Sequence, residues 1–223
     1  MSIKENIKKE KETIKKVGFV LLYTFLVIGV CLSAGLVFHK YYYTVFSIVG
    51  QSMYPTLNRE GTAVINPNRK DFGIVDTNPA TINNAKRFDI VTTYYTTDYN
   101  IDGELDTRAE KKIKRIIGLP GDKVETFPRE IKINNALLQL PFTPSEGNIP
   151  SPRTIELQDN EYFVMGDNWG NSSDSTSVGP VNKSMINGVL IAIEGTCVLD
   201  TDPNTGKLIA SDFKYHWPTY YKK

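Results

Sequence analysis

Two short stretches of the chain carry residue types that together can do acyl chemistry. Ser52-Met53-Tyr54-Pro55-Thr56-Leu57 places a serine between Gly50 and Pro55, where the chain is expected to turn sharply. A turn exposes the hydroxyl and aims backbone N–H groups that can receive an oxyanion. Lys114-Arg115-Ile116-Ile117-Gly118-Leu119-Pro120-Gly121-Asp122 places a lysine on an otherwise apolar strand, closed by Pro120-Gly121, which suits a type II turn. Ile113, Ile116 and Ile117 around Lys114 should partly desolvate its ammonium and lower its pKa, toward the roughly 7–8 at which an amine serves as a base. A hydroxyl is a poor nucleophile until a base removes its proton, so the pair reads as an amine in the role that histidine more often fills. Taken singly, each residue has a plainer reading, Ser52 as a turn serine and Lys114 as a strand lysine facing water. Alternation places Lys112 and Lys114 on one strand face and Lys111 on the other, so the residues alone leave both Lys112 and Lys114 open as the base.

A third stretch, Gly166-Asp167-Asn168-Trp169-Gly170-Asn171-Ser172-Ser173-Asp174-Ser175, follows an apolar run and is dense in small polar groups. Such residues bond their own backbone and build rigid loops. They can also hold a lysine amine in line with a hydroxyl. Other chemistries are disfavoured. The two histidines, His39 and His216, sit beside the N-terminal apolar run and in the last few residues, which argues against a His-Cys metal site and against a Ser-His-Asp triad. Cys31 lies inside the apolar run and Cys197 far beyond it, so no disulfide framework is expected. A net charge of +1 over 223 residues provides no field for nucleic acid.

The elements that must position these residues follow. Val17 to Phe38 is uncharged and strongly apolar, long enough for the roughly 20 residues a transmembrane helix needs. A cleavable leader would have a shorter core of about 7–15 residues, although Ser33-Ala34-Gly35 resembles an exit site. Lysines 4, 8, 9, 11, 15 and 16 precede the run and Tyr41, Tyr42 and Tyr43 follow it, so the positive-inside rule keeps the N-terminus cytoplasmic. The reading is thus a cytoplasmic N-terminus over 1–16, a transmembrane helix over 17–38 and an extracytoplasmic domain over 39–223. Beyond the span, strands are expected at Val45–Val49, Thr62–Ile65, Asp89–Tyr95, Lys111–Ile117, Asp122–Thr126, Tyr162–Met165 and Val189–Ile193, with little helical periodicity. That pattern predicts a mostly β fold: an all-β domain with surface insertions near 98–110 and 143–153.

Together the apolar span, Ser52 and its neighbours, Phe88-Asp89-Ile90-Val91, Lys114 to Asp122 and Gly166 to Gly179 resemble, in order and spacing, the bacterial type I signal peptidases. These are membrane-bound serine proteases that cut leader peptides from exported proteins. The resemblance implies a compact catalytic core with a smaller inserted β region, Ser52 as nucleophile and Lys114 rather than Lys112 as general base. It also implies the Ser52 backbone N–H as an oxyanion donor, Ser172 as a hydroxyl bonded to the lysine, and Asp167 and Asp174 as structural carboxylates. It implies no cofactor and no metal. The implied partners are signal peptides of exported preproteins and the lipid bilayer, with the secretion translocon or pilus subunits as further candidates and the cell membrane as location. Met53 and Tyr54 are expected against lipid headgroups. Three positions depart from the family. Gly50 stands where some members carry a serine hydroxyl that adds to the oxyanion donors, and Trp169 and Thr176 stand where arginines are usual. Without the second arginine Asp174 needs another partner, which predicts either a rearranged loop or a carboxylate in solvent. The competing reading is an accessory factor in pilus or surface-protein assembly with weak or no protease activity.

Overall fold

The computed structural model describes residues 3–59, 67–100, 102–106, 109–149 and 151–221, with side chains from Glu10 onward. It divides after Tyr42 into two units. The first is a single helix, α1 (Ile3–Tyr42), longer at both ends than the apolar run. No proline interrupts it, and its polar side chains fold back on it. Thr24 Oγ1 donates to the Leu21 carbonyl and Ser33 Oγ to that of Val30, so both of these short hydroxyls are satisfied within the helix. Its apolar side chains are exposed on all sides, and Glu10–Tyr42 is long and apolar enough to cross a bilayer.

The second unit is mostly β. Its main sheet contains β1 (Tyr43–Ser47), β2 (Arg69–Asp76), β3 (Ile90–Thr93), β4 (Lys112–Gly118), β9 (Glu161–Met165), β10 (Val181–Asn182), β11 (Ile186–Thr201) and β12 (Leu208–Tyr220). Among the described residues it is antiparallel throughout, in the order β1-β2-β11-β3-β4-β9-β10, with β12 beside the far half of β11. Between β4 and β9 the chain leaves to form the second sheet, from β5 (Lys123–Thr126), β6 (Ile131–Ile133), β7 (Ala136–Leu137) and β8 (Thr154–Glu156) in the order β7-β6-β5-β8. This is the smaller inserted β region. Two short helices, α2 (Pro79–Asn83) and α3 (Ser175–Val178), complete the described elements apart from 3-10 turns.

The strands expected near residues 45, 89, 111, 122, 162 and 189 all exist, and the one at Thr62–Ile65 lies outside the described residues. β2, β6, β7, β8, β10 and β12 were not anticipated. The Leu119–Asp122 turn is as its residues predict. Asp122 N–H donates to the Leu119 carbonyl at 3.0 Å, and Gly121 takes φ +81°, which only glycine adopts freely.

β4 is the strand that matters most, because it is buried on both faces. Ile116 packs with Val91, Val164 and Val189 on one side, and Ile117 with Val124, Phe163 and Trp169 on the other. Ile113 joins a third cluster that holds Ile48, Met53, Leu57 and Ile90. A lysine on the buried part of this strand, beyond Lys112 at its open start, has little water around it whichever way it points.

Candidate active site

β1 ends at Ser47, and Ile48 N–H still donates to the Asp71 carbonyl of β2 at 2.9 Å. The chain then coils. Tyr54 N–H donates to Gln51 O at 3.0 Å and Leu57 N–H to Met53 O at 2.9 Å. Met53 and Leu57, each 1% exposed, plug the turn into the third cluster, and Ser52 stays half-buried at its rim. Burial of Met53 corrects the expectation that it rests against lipid; Tyr54 beside it is exposed. The base of the turn is pinned by Asn58, which sits at φ +58°. Asn58 Nδ2 donates to the carbonyls of Ile48 (2.8 Å) and Gly50 (2.7 Å). Its backbone and side chain exchange hydrogen bonds with Asp71.

β4 approaches from the other side. Lys114 Nζ lies 2.6 Å from Ser52 Oγ and is 4% exposed. Burial pushes its pKa down from 10.5 to about 8; Asp174 opposes the shift, Lys112 adds to it and Asp167 opposes it. Lys112 faces the same way, as alternation requires, but its Nζ pairs with Asp98 Oδ1 at 3.1 Å and donates to the Glu110 carbonyl. Of the two candidates that alternation left open, only Lys114 meets Ser52.

The segment after β9 completes the site. Asn168 N–H donates to the Ser52 carbonyl at 2.9 Å, and its Nδ2 to the Gln51 carbonyl at 3.1 Å. Gly166 is packed so closely that a Cβ there would overlap the Ser52 carbonyl and the Ser172 hydroxyl. Ser172 Oγ is buried with no hydrogen-bond partner, so the bond to Lys114 that the resemblance implied is not made here.

Asp174 is 2% exposed and caps α3. It accepts from Gly166 N (2.9 Å), Thr176 N (3.0 Å) and Thr176 Oγ1 (2.7 Å). The expected choice between solvent and a rearranged loop therefore does not arise, because a hydroxyl and two N–H groups satisfy the carboxylate without a guanidinium. Trp169 likewise does not leave a gap, since its indole joins the second cluster.

Asp167 is clamped by a residue that sequence reading missed. Arg115, next to Lys114, donates from Nε (2.9 Å) and Nη2 (2.6 Å) to its two oxygens. Arg115 also donates to the Phe88 carbonyl at 2.9 Å and lies 4.2 Å over the Phe142 ring. Thr56 Oγ1 donates to the same carboxylate. The signal for Arg115 was present, an arginine on a strand otherwise too apolar to solvate it.

Ser52 and Lys114 open onto a cleft of about 580 Å³. Phe46, Val49 and Gly50 from the end of β1 line one wall, and Lys111 to Ile113 the other. A hydroxyl held against a buried amine, at the edge of a largely apolar cleft, is an arrangement that can move a proton off oxygen and transfer an acyl group. The fold and this site define a mostly β hydrolase-like domain that follows an apolar helix in the chain.

Comparison with known proteins narrows the class. The profile of the family Signal peptidase, peptidase S26, matches residues 19–193. The chain is 29% identical over 195 residues to Signal peptidase I S of Bacillus subtilis (strain 168), across 82% of this chain and 90% of that protein. It is 29% identical over 192 residues to a Signal peptidase I of Bacillus amyloliquefaciens, across 82% and 91%. A crystal structure of a signal peptidase I from Enterococcus faecalis V583 aligns with 48% of this chain and 96% of its own, at 26% identity and a TM-score of 0.39. The chain belongs to the signal peptidase family S26, a family of peptidases.

Proposed function

We propose that the chain is a membrane-anchored serine endopeptidase that removes N-terminal signal peptides from exported proteins, with Ser52 as nucleophile and Lys114 as general base. The observation that carries this reading is the 2.6 Å contact between Ser52 Oγ and a Lys114 amine whose pKa is pushed down to about 8. An amine with that pKa is neutral in about one molecule in ten at pH 7. In that form its lone pair accepts the Ser52 proton.

The leader peptide lies extended in the cleft between the end of β1 and β4, adding its backbone to an edge as a strand would. Small side chains before the scissile bond fit shallow apolar recesses there. Ser52 Oγ attacks the carbonyl as Lys114 takes its proton, and the Ser52 backbone N–H faces the developing oxyanion. The lysinium then protonates the leaving amine, and an acyl-enzyme remains on Ser52. A water that gives its proton to the same amine releases the leader and regenerates the serine. Gly50 adds no hydroxyl to the oxyanion donors. Asp167 and Asp174 act on this chemistry from behind, by fixing the loop that grips the Ser52 and Gln51 carbonyls.

α1 spans the membrane with its lysine-rich end in the cytoplasm, and the β domain works on the far side, where exported leaders emerge. The test is cleavage of leader-bearing preproteins by the purified full chain, with mass spectrometry of the new N-termini. Ser52→Ala and Lys114→Met should fold and process nothing, whereas Lys112→Met should stay active. Normal processing by Ser52→Ala would refute the assignment.

A further inference from the structure

The matched family region ends at residue 193, yet a residue well beyond it reaches the turn that carries Ser52. β12 runs back along β11 with Tyr220 opposite Ala192. One residue further, Tyr221 N–H donates to the Ile191 carbonyl at 2.8 Å. That bond turns the ring inward, where it packs against the cluster that holds Met53 and Leu57. Its hydroxyl donates to the Thr56 carbonyl at 3.3 Å.

Thr56 is thereby held from two sides. Tyr221 takes its backbone carbonyl. Its own Oγ1 donates to Asp167, which Arg115 clamps beside Lys114. Loss of the Tyr221 hold leaves Thr56 tied through its Asp167 side alone, while Asn58 and Asn168 hold other parts of the turn. A reacting pair loses rate steeply when its geometry drifts by a fraction of an ångström. Burial, with Asp71 beside it, raises the phenol pKa, so the donor stays protonated at every pH where Lys114 works.

We propose that Tyr221 is a positioning residue for the Ser52–Lys114 pair, holding the Ser52-to-Leu57 turn in place through its hydroxyl and the Thr56 carbonyl. This rests on the proposed peptidase function, and it gives β12 a role in turnover rather than in folding alone. The residue acts through the turn and touches neither substrate nor the reacting atoms.

The experiment compares Tyr221→Phe with the wild-type full chain on a leader peptide, at a temperature where thermal unfolding shows both fully folded. Phenylalanine keeps the ring in the cluster and removes only the donor. The expected result is a kcat lower by about three- to tenfold, the scale of one lost hydrogen bond. KM should remain within about twofold and the acid limb of the pH profile unmoved, because the cleft and the burial of Lys114 are untouched. Tyr221→Ala, assayed where it too is folded, should lose more. Tyr221→Phe with wild-type kcat overturns the proposal. So does a fall in kcat for either variant that only follows its unfolded fraction. A wild-type chain that cleaves no leader sinks the peptidase reading instead, so the two failures are told apart.

Discussion

The ionisation of Lys114 decides most of what the site can do. If it is the base, kcat/KM should climb with pH and level off above an apparent pKa near 8, because only the amine neutral above that value accepts the Ser52 proton. Lys112→Met removes a like charge that helps hold the amine neutral, so its limb should move to higher pH with the plateau rate retained. A limb that stays put would mean the ion pair with Asp98 already screens Lys112. The same burial has a cost in stability. The folded chain holds this proton less tightly than the unfolded chain, whose lysine titrates near 10.5. Stability therefore rises as pH climbs from about 8 to about 10.5, and below 8 the penalty is fully present. Lys114→Met should abolish cleavage and at pH 7 stabilise the chain, by at most ~3.5 kcal/mol for a fall in pKa from 10.5 to about 8 at about 1.4 kcal/mol per pKa unit. That gain should vanish in urea melts at about pH 10.5. Gly50 offers a gain of another kind. A Cβ there meets nothing within 4 Å, so Gly50→Ser should fit and raise kcat severalfold if its hydroxyl reaches the oxyanion. An unchanged kcat would place that hydroxyl out of reach.

At the scale of elements, the site is three segments tied by short polar links, and what the sequence made legible divides along the same line. Ser52 and a β4 lysine could be suspected from a hydroxyl in a turn and an amine among isoleucines, but only the family resemblance chose Lys114 over Lys112. The strands around them could be read from their apolar runs. The tie between Asn58 and Asp71 could not, because both are ordinary polar residues until the fold brings them together, whereas Arg115 on its apolar strand was legible and passed over. β2 was missed because Arg-Lys-Asp opens it, and β12 because most of its side chains stay exposed and give no alternation between core and water. The turn between β6 and β7 was legible and passed over: Asn134 and Asn135 both take positive φ, as a two-residue hairpin asks of asparagine. The inserted sheet was expected from the family resemblance and not from local signals, since nothing in β5 or β8 says that they pair with each other rather than with β4. The ties make a prediction of their own. Gly166→Ala forces a methyl into the Ser52 carbonyl and the Ser172 hydroxyl. It should cost about 1–3 kcal/mol of stability, as overpacking does, and cut kcat far more than the stability loss explains. Near-normal turnover would show that the loop can yield without moving Ser52.

For the molecule as a whole, the question is what the long helix contributes to a domain that has its own core. α1 has 40 residues and so a length of about 60 Å at 1.5 Å per residue, about twice the hydrocarbon thickness of a bilayer. In the proposed function the apolar stretch from Val17 to Phe38 provides the span, and the lysine-rich stretch before it lies outside the hydrocarbon. The β unit begins at Tyr43, the residue after the helix, and in the proposed function the helix is the anchor and the β unit the catalyst. An anchor of this kind changes the concentration at which enzyme and membrane-bound leader meet, not the chemistry once they have met. A chain that starts at Tyr43 should therefore leave the membrane fraction after carbonate extraction, which the full chain should resist. On a short soluble leader peptide its kcat should stay within about twofold of the full chain, since Ser52, Lys114 and their supports all lie beyond residue 43. On a preprotein already inserted in vesicles it should fall behind by about a hundredfold or more, the scale on which tethering raises an effective concentration. Equal rates for the two chains on the inserted preprotein would remove the anchor from the account of catalysis and leave it a device of location alone.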